Sequence, residues 1–147
     1  MQISSRFTIA IHMMTCMEVF KDEYKITSEF LASSINVNPV IIRRILSQLK
    51  DAGLIEVKRG TGGAALKKSP GEIPLLDVYR AVECIGGNSL FHFHENPNPA
   101  CPVGRNIHHA LDDKLYRVQE AMERELKAIT LEDVMSDVTE CIRKEES

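Results

Sequence analysis

The stretch TSEFLASSINVNPVIIRRILSQLKDAG, residues 27–53, carries the local signals of two helices joined by a tight turn. The first helix is predicted over Thr27–Ile35. Asn36 follows it and is a residue type that tolerates the left-handed backbone of a tight turn. Asn38 suits the N-cap of a second helix, and Pro39 suits its first position. Gly53 is a common helix-ending residue, so the second helix is predicted to stop just before it.

The second of these helices, residues 38–52, separates its residues by face. Its apolar positions recur at the spacing of an α-helix, which predicts one buried side and one exposed side. The predicted buried residues are Ile42, Ile45, Leu46 and Leu49. Ala32 in the first helix lies where the two helices of a helix-turn-helix unit cross closely, so the stretch predicts that unit.

The chain then changes to the two-residue period of a β-strand. Ile55 and Val57 alternate with polar residues, a glycine-rich bend carries Arg59, and apolar residues return in Ala64–Lys67. These features predict a β-hairpin, the wing, over residues 55–68. The predicted fold class is therefore mainly α with a small β-hairpin: a winged helix-turn-helix domain plus a long dimerisation helix.

Four more helices and one irregular stretch are predicted outside this unit. The predicted helices are Ser5–Phe20, Leu75–Cys84, a long helix from about Val103 to Ile129, and a last helix opened by Thr130. The first is apolar on two sides, so we expect it to lie between other elements. The expected division is a winged helix-turn-helix DNA-binding domain (1–70), a linker helix with an irregular loop (71–100), and a dimerisation helix with a C-terminal helix (101–147).

The long helix carries an apolar stripe, here called the seam, that recurs every three or four residues. The seam consists of Ile107, Leu111, Leu115, Val118, Met122 and Leu126, and it ends at Ile129. One small domain does not need so long an apolar stripe on one side. The seam therefore predicts a partner that packs along this helix.

Charge is unevenly distributed along the chain. The net charge is −3, yet residues 1–70 contain ten Lys and Arg against six Asp and Glu, whereas residues 71–147 contain eight against fifteen. Within residues 38–68 the basic residues outnumber the acidic ones by seven to two. A basic segment in an acidic protein is typical of a protein that binds the DNA backbone, although a solvated helix face shows the same pattern.

In a helix-turn-helix unit the start of the second helix enters the major groove of DNA. Arg43 and Arg44 can then reach base edges or phosphates, Asn38 can help to hold a phosphate, and Arg59 can enter the minor groove. The full set of predicted DNA-binding residues is Asn38, Val40, Arg43, Arg44, Ser47, Lys58, Arg59 and Thr61. The alternative is a metal-binding or thiol-based sensor, or a protein-interaction module, without sequence-specific DNA binding.

Residues 45–83, ILSQLKDAGLIEVKRGTGGAALKKSPGEIPLLDVYRAVE, resemble the Rrf2 family of winged-helix transcriptional regulators. The matching positions are Leu49, Ala52-Gly53-Leu54, Arg59-Gly60-Thr61-Gly62-Gly63, Pro70, Ile73, Leu75 and Val82-Glu83. The likeness covers essentially the whole chain, and residues 94–111, HENPNPACPVGRNIHHAL, look most like the YwnA-type branch. The resemblance implies a homodimer in which the long helix of each subunit crosses onto the other.

The function expected from the residues and the resemblance together is that of a homodimeric DNA-binding transcriptional regulator. It is expected to be a repressor that reads a palindromic operator with the 38–52 helix and the 55–68 wing. A thiol or small-molecule signal, including an oxidant, is expected to act through residues 84–109.

Family members that bind an iron–sulfur cluster are similar in having three cysteines in the loop before the long helix. Cys101 matches the last of these, but the position three residues later is Gly104, and residues 87–100 contain no cysteine. A cluster needs about four such ligands. We therefore expect no iron–sulfur cluster and no other cofactor.

Four histidines flank Cys101 within 18 residues: His92, His94, His108 and His109. Two of them with Cys101 could hold a single metal ion and a water, although ordinary surface histidines give the same pattern. No metal ligands are predicted, and the alternative stays open.

Cys101 precedes Pro102 and is predicted to cap the long helix. The N–H groups at a helix start lower the pKa of a thiol, so Cys101 is a candidate sensor, with Cys84 as a candidate disulfide partner. A capping or packing role without sensing is the alternative.

Other classes of protein fit the sequence less well. There is no apolar run long enough to span a membrane, and the first residues lack the features of a signal peptide, which predicts a cytoplasmic protein with free thiols. No nucleophile motif or phosphate-binding loop is present, so the chain is not expected to be an enzyme.

Overall fold

A computed structural model describes residues 4–58, 63–83, 91 and 93–147 of the chain. Its elements in chain order are α1 (Ser5–Val19), α2 (Ser28–Ile35), α3 (Pro39–Asp51), β1 (Ile55–Lys58), β2 (Gly63–Leu66), a 3-10 turn (Pro70–Glu72), α4 (Leu75–Glu83), α5 (Pro102–Ala128) and α6 (Leu131–Glu145). The protein is mainly helical, with a two-stranded antiparallel sheet. The predicted fold class, mainly α with a small β-hairpin, is confirmed, and the dimerisation role of the long helix stays a prediction.

Side-chain caps determine where several helices begin. Thr27 and Asn38 each accept a hydrogen bond from a backbone N–H of the helix that follows them. Asn36 ends α2 with a φ of 64°, in the left-handed region that the sequence predicted for the turn. Thr130 and Asp133 form a reciprocal capping box at the start of α6. The predicted boundaries hold to within one or two residues where they fall on described residues.

α1 lies at the centre of the core, where it packs against α2, α3, α4, α6 and β2. Its buried residues are Ala10, Met13, Met14, Thr15, Cys16 and Met17, which occupy more than one side of the helix. The expectation that α1 is covered by other elements is therefore confirmed. Methionine side chains are unbranched and adapt their shape to their neighbours. Their burial on α1 gives the winged-helix unit a continuous apolar centre.

The end of α5 and the start of α4 are held together by a short β-bridge between Pro74 and Thr130. The backbone N–H of Leu75 donates to the carbonyl of Ile129 at 2.8 Å, and that of Leu131 donates to the carbonyl of Ile73 at 2.9 Å. The bridge returns the chain to the core after α5. α6 can therefore pack on α1 and on the 3-10 turn.

α5 differs from the other α-helices in that it has no buried residue. Of the seam residues, Val118 has 52% of its surface exposed, and the others are half-buried. α6, by contrast, buries Leu131 and Met135 in the core that α1 also forms. The division of the chain at residues 70 and 100 stays a prediction. Within the described part of the chain, no helix is both long enough and apolar enough to cross a membrane.

Candidate nucleic-acid interface

α3 presents one face to the core and the other to solvent. Ile42, Ile45 and Leu49 are completely buried, because residues three or four apart share one face of a helix. The exposed face carries Val40, Arg43, Arg44 and Ser47, all predicted site residues. Ile41 is also 39% exposed, so the start of α3 offers an apolar as well as a basic surface.

Asn38 has a defined role at the start of α3. Its Oδ1 accepts a hydrogen bond from the backbone N–H of Val40 at 2.9 Å. This oxygen is therefore committed to capping the helix, and only the amide N–H₂ group of Asn38 is left to contact a phosphate. The prediction that Asn38 binds DNA applies to that group.

The wing is attached to the segment that leads into α2. β1 and β2 pair so that Val57 lies opposite Ala64 and Lys58 lies opposite Gly63. The backbone N–H of Ala64 donates to the carbonyl of Ile26 at 2.9 Å. Gly63 has a φ of +68°, and a Cβ there would come within 2.8 Å of the same carbonyl oxygen, so only glycine fits this contact.

The docked wing, α2 and α3 enclose a concave surface, here called the basic hollow, of about 410 Å³. Arg43 and Ser47 from α3 and Lys58 from β1 line it, so three of the predicted site residues are brought together. Leu46 and Val57 supply apolar surface between them. The hollow is open to solvent and lies alongside the exposed face of α3.

Two further lysines, Lys25 and Lys50, line the basic hollow and were missed by sequence reasoning. Lys50 had a signal, because it lies seven residues, about two helical turns, after Arg43 on the same face of α3. Lys25 had none. It reaches the hollow because the neighbouring Ile26 receives the hydrogen bond from β2.

Glu29 introduces a negative charge into the hollow. Its Oε1 lies 3.5 Å from Nη2 of Arg43, and both side chains are exposed. The pKa of Glu29 is lowered, first by its own backbone N–H, then by the Ser28 hydroxyl and by Arg43. An exposed pair of this kind contributes little to stability. The pair places a carboxylate next to the guanidinium of Arg43 in the same hollow.

The other predicted DNA-binding residues do not line the hollow. Val40 and Arg44 are exposed on α3 but lie outside the lining of the hollow. Arg59 and Thr61, at the tip of the wing, lie outside the described residues.

Cys101 is the N-cap residue of α5, and its side chain is exposed. The thiol makes no regular capping hydrogen bond, but the backbone N–H groups of Gly104 and Val103 lower its pKa. Gly104 allows the preceding loop to fold against this turn, since a Cβ there would lie 2.6 Å from the carbonyl oxygen of Asn98. The thiol is therefore accessible, its sensor role stays a prediction, and Cys84 lies outside the described residues.

The described histidines near Cys101 are not arranged as metal ligands. Nδ1 of His108 lies 3.0 Å from Oδ1 of Asp112, and this hydrogen bond raises the pKa of His108, as does a further bond to the backbone of His94. The rings of His94 and His108 lie 5.0 Å apart, and Phe93 contacts both His108 and Tyr116. The cluster ties the irregular loop to α5. His109 is exposed, and His92 lies outside the described residues.

Most of the chain is similar to one family of transcriptional regulators. A family model described as Rrf2, iron-dependent transcriptional regulator, matches residues 3–137. The Bacillus subtilis (strain 168) protein named "Putative HTH-type transcriptional regulator YwnA" is 48% identical over 134 residues, which cover 91% of this chain and 97% of that protein. The family and this relative are described as transcriptional regulators rather than as enzymes, in agreement with the expectation that the chain is not an enzyme.

Solved structures show the same similarity. A crystal structure described as that of "a putative DNA binding protein" is 42% identical, with a TM-score of 0.72, and covers 89% of this chain and 99% of its own. CymR (YrzC), described as the global cysteine regulator of B. subtilis, is 25% identical, with a TM-score of 0.67, and covers 92% and 97%.

In the part of the chain that the structure describes, the side chains do not fit the iron named in the family description. Among the described residues, the free cysteines are Cys16 in the core, Cys101 at the start of α5 and Cys141 on α6. No three His, Cys, Asp or Glu side chains in residues 4–58, 63–83, 91 and 93–147 converge on a point where they could hold a metal ion. The absence of a cofactor stays a prediction.

Proposed function

The chain belongs to the Rrf2 family of transcriptional regulators, and we propose that it is a homodimeric repressor that reads a palindromic operator with α3 and the wing. A regulator of this kind works where the DNA is, so we also propose that it acts in the cytoplasm. The proposal rests on the basic hollow, which gathers cations from three separate parts of the fold around the exposed face of α3.

The hollow supports DNA binding because it is lined by basic residues and lies alongside the exposed face of α3. Arg43 lies on the part of α3 that enters the major groove in helix-turn-helix proteins, and Lys25, Lys50 and Lys58 surround it. Exposed Val40 and Ile41 at the start of the helix can contact thymine methyl groups. On approach of a phosphate, Arg43 exchanges its weak contact with Glu29 for a charge-assisted contact with DNA.

The wing extends the contact beyond the major groove. Lys58 is the last described residue before the tip, and Arg59 follows it directly. An arginine at this place can enter a narrow A·T-rich minor groove, where the negative potential is concentrated. Arg59→Ala is therefore expected to weaken binding mainly at A·T-rich flanks of the operator.

Two copies of the chain are proposed to join through the seam of α5. A monomer would leave the seam half-exposed over the length of the helix, which is uncommon for soluble monomers. A symmetric dimer presents two copies of α3 and so reads two half-sites about 34 Å apart. This is the reason for proposing a palindromic operator.

The test is salt-dependent retention of a genomic fragment library on the immobilised full-length protein, followed by footprinting of the retained fragments. Arg43→Ala should weaken binding to the recovered operator and lower the slope of log K against log salt by about 0.9 for each phosphate that the variant no longer neutralises. Arg143→Ala removes the same charge from exposed α6 and is the matched control, with no expected change.

The outcome decides between the proposed function and its alternative. If the wild-type protein retains no fragment at any salt concentration, the chain is better described as a protein-interaction or sensor module. Repression is tested separately, by a reporter that carries the footprinted operator: its expression should rise when Arg43→Ala replaces the wild-type protein, and a fall would indicate an activator.

We propose further that Cys101 controls DNA binding through oxidation. It is exposed, its pKa is lowered by backbone N–H groups, and its loop leads directly into α5, so modification there can displace the dimer helix. Peroxide or a disulfide stressor should then change operator affinity in the wild type but not in Cys101→Ser. Cys141→Ser removes an exposed thiol from α6 and should leave the oxidant response intact.

The thiol proposal fails under either of two results. One is that Cys101 reacts with a thiol reagent across pH no faster than an ordinary thiol of pKa about 8.5. The other is that the oxidant response survives in Cys101→Ser, in which case the residue is a capping residue only.

A further inference from the structure

A second cavity, separate from the basic hollow and from the Cys101 loop, lies between α1 and α6. Its volume is about 450 Å³. α1 forms one wall through residues such as Ile11 and Phe20, α6 forms the opposite wall through Val134, Val138 and Ile142, and Ser34 of α2 reaches its edge. The proposed function does not use this cavity.

The lining of the cavity is uncharged, which is unusual in a chain with 27% charged residues. None of the described residues that line it is Lys, Arg, Asp or Glu. The side chains that line it are aliphatic, aromatic, or small and polar. Such a lining disfavours an anion or a cation, because nothing there could offset the loss of hydration of a charged group.

The α1 side of the cavity carries a connected row of polar atoms. Nε2 of His12 lies 3.0 Å from the hydroxyl of Ser34, and the thiol of Cys16 lies 3.4 Å from the same hydroxyl. His12 and Ser34 are both exposed at the edge of the cavity, and partial desolvation lowers the pKa of His12, which favours the neutral ring. A neutral imidazole and a hydroxyl can each either donate or accept a hydrogen bond.

We infer that this cavity binds a small, neutral, mostly apolar molecule that carries one hydroxyl or carbonyl group. Small-molecule sites are typically concave and mostly apolar, contain a few polar atoms, and measure about 300–1,000 Å³. The cavity meets each of these criteria. The apolar body of the molecule lies against α6, and its polar group joins the row formed by His12 and Ser34.

The position of Ser34 connects the cavity to the DNA-reading unit. Ser34 lies two residues before Asn36, the left-handed turn residue between α2 and α3. A molecule that bonds to Ser34 and packs on α6 therefore interacts with α2 directly. This coupling rests on the proposed function, and by linkage the molecule and DNA change each other's affinity by the same factor.

The test uses three probes and the full-length protein. 1-Naphthol has a neutral apolar body and one hydroxyl group, naphthalene lacks the hydroxyl, and naphthalene-1-sulfonate carries a charge. Equilibrium dialysis should show saturable binding of 1-naphthol, weaker binding of naphthalene and none of the sulfonate. Val138→Trp fills the cavity and should weaken 1-naphthol binding by about tenfold or more.

Two other variants separate a specific site from general hydrophobic adsorption. Thr139→Trp places the same ring on the neighbouring, exposed position of α6 and should leave probe binding unchanged. Ser34→Ala should weaken the binding of 1-naphthol roughly three- to tenfold and leave that of naphthalene unchanged, because only the former loses a hydrogen bond.

The results that overturn the inference are absence of saturable 1-naphthol binding, or equal binding by wild type and Val138→Trp. Circular dichroism checks that Val138→Trp is folded, and Ile142→Trp repeats the test at the other end of the wall. DNA affinity is measured on the same samples with and without 1-naphthol. Loss of DNA binding with intact probe binding would reject the proposed function alone, whereas probe binding that leaves DNA affinity unchanged would reject the coupling.

Discussion

The helices α3 and α5 carry the same sequence pattern but have opposite surroundings. Both place an apolar residue every three or four positions. In α3 this stripe is completely buried at Ile42, Ile45 and Leu49, whereas in α5 no residue is buried and Val118 is 52% exposed. The spacing of apolar residues in the sequence therefore predicts which face of a helix is apolar, but it does not predict which surface covers that face.

The contrast separates the molecule into a region whose apolar stripe is buried within the chain and a region whose apolar stripe stays half-exposed. The winged-helix unit is closed around α1 by four helices and a strand, all from the same chain. α5 packs on α4 and otherwise keeps its seam half-exposed. We therefore expect substitutions in the first region to affect folding and substitutions in the second to affect association.

The largest effect is expected from Leu115→Glu in the seam of α5. In a symmetric dimer it places two carboxylates in an apolar contact, at a cost of several kcal/mol each, so the dissociation constant of the dimer should rise by about a thousandfold or more. Light scattering should then give a mass near 16.5 kDa instead of twice that value. Operator affinity should fall in parallel, and Met122→Glu should behave alike.

The matched control for this change is Ala110→Glu, which adds the same charge to an exposed position of the same helix. It should leave the mass and the affinity unaltered. If the wild-type protein is a stable monomer at micromolar concentration, the prediction that the seam of α5 joins two copies is wrong, because the half-exposed seam would then need no partner.

The second prediction compares alanine substitutions in the apolar stripes of α3 and α5. Ile45→Ala removes a fully buried side chain and should lower the free energy of unfolding by about 2–5 kcal/mol. Leu126→Ala should instead make the melting temperature depend more steeply on protein concentration, because it weakens association. Thermal unfolding at several protein concentrations distinguishes the two variants. If both melting temperatures depend on concentration in the same way, the assignment of the α3 stripe to folding and of the α5 seam to association is wrong.

The third prediction concerns two glycines that both have positive φ. Gly63→Ala and Gly53→Ala both place an alanine in a left-handed backbone conformation, which costs about 1–2 kcal/mol. Only the new Cβ at Gly63 would also meet the backbone of Ile26. Gly63→Ala should therefore destabilise the protein by a further 1–3 kcal/mol or so and weaken DNA binding through the displaced wing. Chemical denaturation measures both, and equal losses would show that the contact with Ile26 is easily relaxed.

The smallest effect is expected at His108, in the part of α5 that contacts the irregular loop. Its pKa is raised by the hydrogen bond to Asp112, so the protonated form is favoured in the folded protein. The resulting stabilisation is fully present below the ordinary histidine pKa of about 6.5 and is lost as pH rises through the raised value. His108→Gln should lower the melting temperature more at pH of about 6 than at about 9.

His109→Gln is the control for this titration, because His109 is the neighbouring histidine and is exposed. Its effect on the melting temperature should be small and should not follow the pH dependence of His108→Gln. Equal losses for His108→Gln at both pH values would mean that the contact with Asp112 does not depend on the charge of the imidazole.

The amino-acid sequence by itself determined the local features of this protein. Caps such as Asn38 and Thr130, the turn at Asn36, the period of α3 and the alternation in β1 depend on residues within a few positions of one another. Their preferences arise from backbone sterics and local hydrogen bonds, so they can be interpreted without knowledge of the fold. The family resemblance was likewise contained in short motifs, and it is confirmed.

Only the tertiary structure decided which distant residues meet. Lys25 lines the basic hollow because β2 bonds to Ile26, and Ser34 meets His12 and Cys16 because α2 packs on α1. The pairing of Arg43 with Glu29 also appears only in three dimensions. The physical reason is that most of these contacts join residues far apart in the chain, and burial of the common core, rather than any local preference, brings them together.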